Sequence, residues 1–364
     1  MTTVHVNLAE RSYDIQIGSG NLAQAGEFLK GCGRSGGGRV SHAVLMTDAN
    51  VEKTHAARAA ESLAGQVEKV EVIVLEPGET SKSPEMALSL WQGLLDLGAD
   101  RKSVVVAVGG GVIGDLAGFV AATFARGLRF LQVPTSLLAQ VDSSVGGKVG
   151  INLPQAKNMV GAFLQPVGVL IDTETLATLP EREFLAGLGE VVKYGVILDA
   201  ELFAYLEAHA AELLARDRDV LKHVIARCCR LKADVVEKDE REETGLRAVL
   251  NYGHTFGHAF ESLSGYGRLL HGEAVAIGML CASRLAQRLG RIGAEQTRRE
   301  QQLLSQLGLP VDVPKLDRKE ILASMMHDKK VQHGRLRLIL PTRIGHVELV
   351  EGVESDAIAA ALEG

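Results

Sequence analysis

The sequence predicts a two-part α/β chain: an N-terminal parallel sheet covered by helices on both faces, followed by a mainly α-helical C-terminal part. Three observations carry this expectation. The chain has 364 residues, enough for two cores at roughly 150 residues per domain. Short apolar runs alternate with amphipathic ones as far as Ile171, which is the pattern of βαβ units. From Glu183 onward the apolar residues recur at helical spacing instead. The boundary is expected between Leu179 and Arg182, giving parts of residues 1–180 and 181–364.

Taken in order, Met1 to Gly18 alternates polar and apolar residues (Val4, Val6, Leu8, then Tyr13, Ile15, Ile17) and reads as a hairpin. A Gly-rich loop follows from Gly31 to Gly38. His42 to Thr47 is a predicted strand ending at Asp48-Ala49-Asn50, with a helix through Leu63. Val70 to Leu75 is a second strand, Glu85 to Leu97 a helix, and Ser103 to Val108 a third strand, apolar throughout and so expected to be central. Val112 to Phe124 is the next helix, and Leu128 to Val133 and Val167 to Ile171 are further strands. Such a succession folds as a parallel sheet that binds ligands off the carboxyl ends of its strands.

In the second part, Phe184 to Ile197, Leu202 to Leu214, Val220 to Glu237 and Ala274 to Leu289 read as helices, with a solvated charge run at Asp239 to Glu242. A polar helix to Lys330, a hairpin (Leu336 to Leu340 with Val347 to Val350) and a short helix complete the chain.

Composition removes several classes of function. A hydrophobic content of 46% with 40 Gly and 9 Pro describes a core-forming chain, neither disordered nor fibrous. A net charge of −6 argues against non-specific nucleic-acid binding. Cys32, Cys228, Cys229 and Cys281 form no CxxC pair and read as reduced cytosolic thiols. The N-terminus lacks the basic and apolar regions of a signal peptide, and no apolar run approaches a membrane span. A cytoplasmic protein with no nucleic-acid or membrane partner is therefore expected.

The chemistry-bearing residues cluster at the predicted strand ends. Gly109, Gly111 and Gly114 fit GxGxxG between a strand and a helix, where backbone N–H groups and the helix dipole favour a pyrophosphate. The usual acid about twenty residues on is missing. Asp48 and Glu79 upstream are the available partners for ribose hydroxyls, so the motif reads as a variant dinucleotide site, in competition with a tightly packed turn. Pro134 to Asn158 is crowded with small hydroxyl residues and Gly beside Asp142, Lys148 and Lys157, as a phosphate or polyol pocket requires. Glu190 and Lys193 on a largely apolar helix read either as an exposed ion pair or as a buried acid that needs a cation or metal. Lys232 stands on the inward face of its helix. His254 and His258, four apart, leave one helix face, and His271 can return to them from the next element. Three His with Arg247 and Asn251 nearby favour a metal site over hydrogen-bonded core histidines.

Together, Pro77-Gly78-Glu79 with Lys82, Gly109 to Asp115, Pro134 to Leu138, Val141 to Lys148, Lys157-Asn158, Gly189 to Lys193, Leu250 to His254 and His271 to Val275 resemble the 3-dehydroquinate synthase family of sugar phosphate cyclases. The resemblance spans nearly the whole chain. It implies a Rossmann-like NAD domain, a helical metal and substrate domain, a homodimer, and zinc, with cobalt as a substitute, held by Glu190, His254 and His271. His258 thereby moves from the ligand set to the substrate site. The family's substrate positions match Arg126, Asp142, Lys148, Lys157, Asn158, Lys193, Lys232, Arg247, Asn251 and His258, with Lys329 or Lys330. Its NAD positions match Asp48, Asn50, Glu79, Lys82, Gly111, Val112, Ile113, Gly114, Asp115, Thr135, Ser136 and Thr178, with Lys148 and Lys157 beside them. The chain departs from the family pattern in the Gly-rich insertion after Lys30, in Ser136 and in Val149, none of which removes a charged or metal-binding position.

The implied reaction converts 3-deoxy-D-arabino-heptulosonate 7-phosphate to 3-dehydroquinate and phosphate, through transient oxidation at C5, phosphate elimination, re-reduction, ring opening and aldol closure. A substrate with a carboxylate, a phosphate and several hydroxyls accounts for the cations. The alternatives are a metal-dependent polyol or glycerol dehydrogenase, a sibling cyclase such as 2-deoxy-scyllo-inosose synthase, and a non-catalytic NAD-sensing protein. Retention of Lys232, Arg247, Asn251 and His258 together favours the dehydroquinate reading.

Overall fold

A computed structural model describes residues 1–32, 40–154, 156–265, 267–326 and 336–363. Most of the Gly-rich loop, and both Lys329 and Lys330, lie outside the described residues. The chain divides into two compact units, Met1–Leu179 with Lys232–Arg241, and Pro180–Leu231 with Glu242–Gly364.

The first unit contains β1 (Thr2–Val6), β2 (Tyr13–Gly18), α1 (Ala25–Gly31), β3 (His42–Asp48), α2 (Ala57–Ala64), β4 (Lys69–Leu75), α3 (Pro84–Asp96), β5 (Val104–Gly109), α4 (Gly111–Thr123), β6 (Arg129–Pro134), β7 (Lys148–Leu153), β8 (Ala156–Phe163) and β9 (Gly168–Asp172). Seven of these strands form one sheet in the order β1-β2-β9-β6-β5-β3-β4. It is parallel except for the β1–β2 hairpin. Alternate side chains of β3 and β5 enter opposite cores, which is why these runs are apolar throughout. Val44, Met46, Val105 and Ala107 pack with α3 and α4 (Leu90, Leu94, Leu116, Phe119). Ala43, Leu45, Val104 and Val106 pack with α1 and α2 (Leu29, Ala59, Leu63).

Among the five strands β3, β4, β5, β6 and β9, the spatial order is second, first, third, fourth, fifth. The direction of winding reverses between β3 and β5. At such a switch point helices leave to opposite faces and open a crevice at the carboxyl ends; here those ends are Asp48 and Gly109.

One element went unread in the sequence. Residues 148–163 form a separate two-stranded antiparallel sheet, β7 with β8. Five of the eight β8 residues are exposed and none is buried, so the alternation that reveals a half-buried strand is absent.

The second unit contains α5 (Glu181–Leu198), α6 (Ala200–Ala208), α7 (Ala210–Leu214), α8 (Arg218–Lys238, its end counted with the first unit), α9 (His254–Ser264), α10 (His271–Arg288), α11 (Ala294–Gln306), α12 (Arg318–Met326), the hairpin β10 (Arg337–Arg343) with β11 (His346–Glu351), and α13 (Ser355–Ala361). The helix expected over Leu202–Leu214 is interrupted at His209, which leaves helical geometry at ψ 25°. Helix α10 packs against α5, α9, α11 and α13. Two glycines make that packing close. A Cβ on Gly272 would lie 1.8 Å from the carbonyl oxygen of Ala186 on α5, and one on Gly278 would lie 2.1 Å from that of Gly253 before α9. Backbone therefore touches backbone where α5, α9 and α10 meet.

Candidate metal centre and ligand-binding residues

Those three helices carry Glu190, His254 and His271. Glu190 sits in the middle of α5 with no solvent exposure, while His254 and His271 are the first residues of α9 and α10. Their ligand atoms all lie within 4.8 Å of one another. The Nε2 atoms of His254 and His271 are 3.7 and 3.6 Å from the same oxygen, Oε1 of Glu190. Oε2 pairs with the ammonium of Lys193, itself 1% exposed, while Oε1 accepts no hydrogen bond from a described residue.

The far side of each ring fixes its tautomer. Nδ1 of His254 lies 3.0 Å from the carbonyl oxygen of Tyr252, which can only accept, so Nδ1 carries the proton. Nδ1 of His271 lies 3.3 Å from Oε2 of Glu261 and donates to it likewise. Both Nε2 lone pairs are then directed toward a buried carboxylate. Lone pairs facing an acid repel unless a cation stands among them, so the three residues could hold a divalent ion, with outer hydrogen bonds that would orient the ligands. His271 reflects the same field. Burial disfavours its charged form, but the hydrogen bond and charge of Glu261, with the charge of Glu190, outweigh it and raise its pKa.

His258, paired with His254 by spacing in the sequence, is exposed and groups instead with Glu261 and His271. Glu261 was missed in the sequence. Its signal was present, since it stands three residues after His258 and seven after His254 on the same helical face. Arg247 and Asn251 lie on a single 3-10 stretch, Leu246–Asn251, that packs on α5. Arg247 is 2% exposed and its Nε faces Oε1 of Glu242 at 3.6 Å.

The remaining predicted residues belong to the first unit. The Gly run opens α4 at Gly111, with Gly110 as N-cap and no side chain capping the helix, so its first N–H groups are left for an anion. A Cβ on Gly111 would lie 3.2 Å from Ser143 Oγ, and one on Gly110 3.4 Å from Ser136 Oγ, which leaves little room for a side chain. Val112 and Ile113 continue the first turn. Thr135 donates its N–H to Gly109 O at 2.9 Å, holding the two strand ends together.

Lys82 is 4% exposed and donates to Asp115 Oδ2 and Asn158 Oδ1, each at 2.5 Å. Asn158 takes the left-handed φ of 54°, fixed by its N–H on Asn152 Oδ1 at 2.9 Å, while Asn152 Nδ2 donates to Glu79 at 2.7 Å. The unread β7–β8 hairpin is thus the arm that brings Asn158 to Lys82 and Asp115. Lys232 donates to Asp142 O at 2.7 Å and faces Asp142 Oδ1 at 2.9 Å. Asp48 accepts the N–H of Asn50 at 2.9 Å, and burial raises its pKa.

Four further predicted residues belong to the first unit, among them Lys157, partly buried in β8. Thr178 Oγ1 is already bonded to His55 Nε2 at 2.6 Å. Arg126 is exposed at φ 66°, next to Ala125 at φ 50°. Lys148 is exposed at the start of β7.

Residues 72–186 match the family model described as 3-dehydroquinate synthase N-terminal, and residues 187–331 the one described as 3-dehydroquinate synthase C-terminal. The chain is 50% identical over 362 residues to the 3-dehydroquinate synthase of Rhodopirellula baltica, covering 99% of this chain and 96% of that one. It is 50% identical over 363 residues to that of Desulforamulus reducens, covering 100% and 99%. Among solved structures it is similar to 2-deoxy-scyllo-inosose synthase complexed with carbaglucose-6-phosphate, NAD+ and Co2+ (TM-score 0.89, 28% identity, 99% of each chain). It is also similar to 2-epi-5-epi-valiolone synthase from Streptomyces hygroscopicus with NAD+ and Zn2+ bound (TM-score 0.87, 29% identity, 96% and 95% of the chains). Glycerol dehydrogenase from Schizosaccharomyces pombe shares the fold at 19% identity (TM-score 0.67, 96% and 88%).

Proposed function

The chain belongs to the 3-dehydroquinate synthase family, and on that premise we propose that it converts 3-deoxy-D-arabino-heptulosonate 7-phosphate to 3-dehydroquinate and phosphate, with NAD and a divalent ion as resident cofactors. The observation that carries the reading is the buried Glu190, His254 and His271 constellation in a chain half-identical to named synthases. These three residues hold the ion, with zinc or cobalt supported by what two structural relatives bind. Bound there, the ion supplies Lewis-acid activation of a substrate hydroxyl, and NAD supplies a hydride acceptor that can return what it takes.

The protein's own residues bind and orient. The open N–H groups at Gly111 to Ile113 receive the pyrophosphate, with Gly114, Asp115, Thr135, Ser136 and Thr178 around the cofactor. The carboxylates of Asp48 and Glu79 and the amide of Asn50 take ribose hydroxyls. Lys82, held between Asp115 and Asn158, fixes that pocket's charge. Lys148, Lys157, Asn158, Lys193, Lys232, Arg247, Asn251 and His258, with Arg126 and Lys330, are assigned to the substrate's phosphate, carboxylate and hydroxyls. Asp142 positions Lys232 by the contacts described above. Charge-assisted bonds of this kind are about twice as strong as neutral ones, which suits a doubly anionic ligand. A polyol dehydrogenase has no use for so many cations, and a sibling cyclase whose substrate lacks the carboxylate has no use for all of them.

The residue ranges 1–180 and 181–364 are assigned cofactor binding and metal and substrate binding in turn. The family reading also makes the chain a cytoplasmic homodimer; among the described residues no helix is long and apolar enough to cross a membrane.

Dialysis against a chelator tests the metal assignment. Phosphate release is expected to stop and to return on adding zinc or cobalt, with the circular dichroism spectrum unchanged throughout, since two His and one acid leave an open position characteristic of catalytic rather than structural sites. A metal-free, fully active preparation contradicts it.

A further inference from the structure

Behind His254 lies a buried polar cluster that the reaction does not use. Tyr252 and Ser283 are fully buried, Glu300 is 3% exposed and Thr297 7%. Tyr252 Oη lies 3.0 and 3.1 Å from the two carboxyl oxygens of Glu300 on α11, and 3.1 Å from the carbonyl oxygen of Met279 on α10. A phenol has one proton and cannot donate to all of them. Burial pushes the Glu300 carboxyl up to about 8, so near neutrality it carries a proton and donates to Tyr252, whose own proton then goes to Met279. In that arrangement the protons of Tyr252 and Glu300 both have acceptors, Ser283 Oγ donates to Thr297 Oγ1 at 3.2 Å, and the phenol of Tyr252 is held between α10 and α11.

The clamp reaches the metal centre through a short, stiff path. The carbonyl of Tyr252 is the acceptor that fixes Nδ1 of His254. The intervening Gly253 takes φ 79° and sits so close to α10 that a Cβ would lie 2.8 Å from Val275 O and 2.9 Å from Met279 N. Little slack remains between the phenol and the imidazole.

We infer that Tyr252 and Glu300 are positioning residues for the metal centre, a buried brace that sets the orientation of His254 and so the affinity for the ion. This rests on the reading of Glu190, His254 and His271 as metal ligands. An apolar pair would fill the same space without burying an acid, which is why the acid calls for a role beyond packing.

The test is Co2+ titration of the metal-stripped full chain, followed by visible absorption and by competition with a chromophoric chelator. Tyr252→Phe is expected to weaken Co2+ binding by roughly ten-fold or more and to shift the absorption band, while NAD affinity stays at the wild-type value. The double variant Tyr252→Phe/Glu300→Leu removes the stranded acid and keeps the core filled; it should show the same weakened affinity and shifted band. Glu300→Gln, which still hydrogen-bonds the phenol, should stay close to wild type. A double variant with wild-type affinity and an unshifted band overturns the inference and leaves the ligand assignment standing. If the wild-type chain itself binds no Co2+, the ligand assignment fails and the inference with it.

Discussion

Glu300 has a measurable consequence apart from the metal. Its folded-state pKa of about 8 stands above the ordinary 4.5 because of burial. Below about 4.5 both folded and unfolded chains hold the proton and no difference arises. Between that value and about 8 the unfolded chain releases a proton that the folded chain keeps, so stability falls as pH rises, by at most about 1.4 kcal/mol per pH unit. Denaturant titrations across this window should show wild type losing stability relative to Glu300→Gln, and parallel curves would contradict the buried neutral acid. Two cations carry a second prediction. On the proposed reading, Arg247→Ala and Lys148→Ala should each lower kcat/KM by orders of magnitude while leaving NAD binding largely intact or, for Lys148, only modestly weaker, because each removes a charge-assisted bond to a buried anion. Near wild-type rates would favour a polyol substrate instead.

At the scale of the element, α10 is positioned by its second residue. Gly272→Ala places a methyl group against the α5 backbone and should destabilise the chain by about 1–3 kcal/mol; displacing His271 from Glu190 should also weaken Co2+ binding. Unchanged thermal stability and affinity would mean that the close approach is not required. The same scale shows where the sequence could be read. Runs such as Val104 to Val108 were legible because burial on both faces leaves no polar position. The β7–β8 hairpin was not, because β8 buries neither face and its Gly150 opposite Gly161 reads as loop composition. In the candidate metal centre, the spacing of His254 and His258 was visible, but geometry groups His254 with Glu190 and His271 from two other helices. Nothing local to residues 250–260 announces a partner on α5; the family motifs supplied it. Glu300 lies on a helix of low hydrophobicity, where an acid looks solvated, and its burial follows from packing against α10, which no local pattern encodes.

For the whole molecule, the division after Leu179 follows a change from strand to helix periodicity, whereas the return of Lys232–Arg241 to the first unit has no such mark. The apolar stripe of α8 runs on without a break, and the inward Lys232 was the one irregularity. Each unit supplies a distinct chemistry on the proposed reading: the first an anion-receiving helix start at a topological switch point, the second a buried acid with two oriented imidazoles. The central claim is that hydride is removed and restored within one turnover, so that NAD is a catalyst and not a co-substrate. The measurement that tests this most directly follows phosphate release and NADH absorbance together, with the heptulosonate phosphate in excess and NAD below the enzyme's turnover demand. The account predicts many phosphates released per NAD with a flat NADH trace; one NADH formed per substrate consumed, without phosphate, would contradict it.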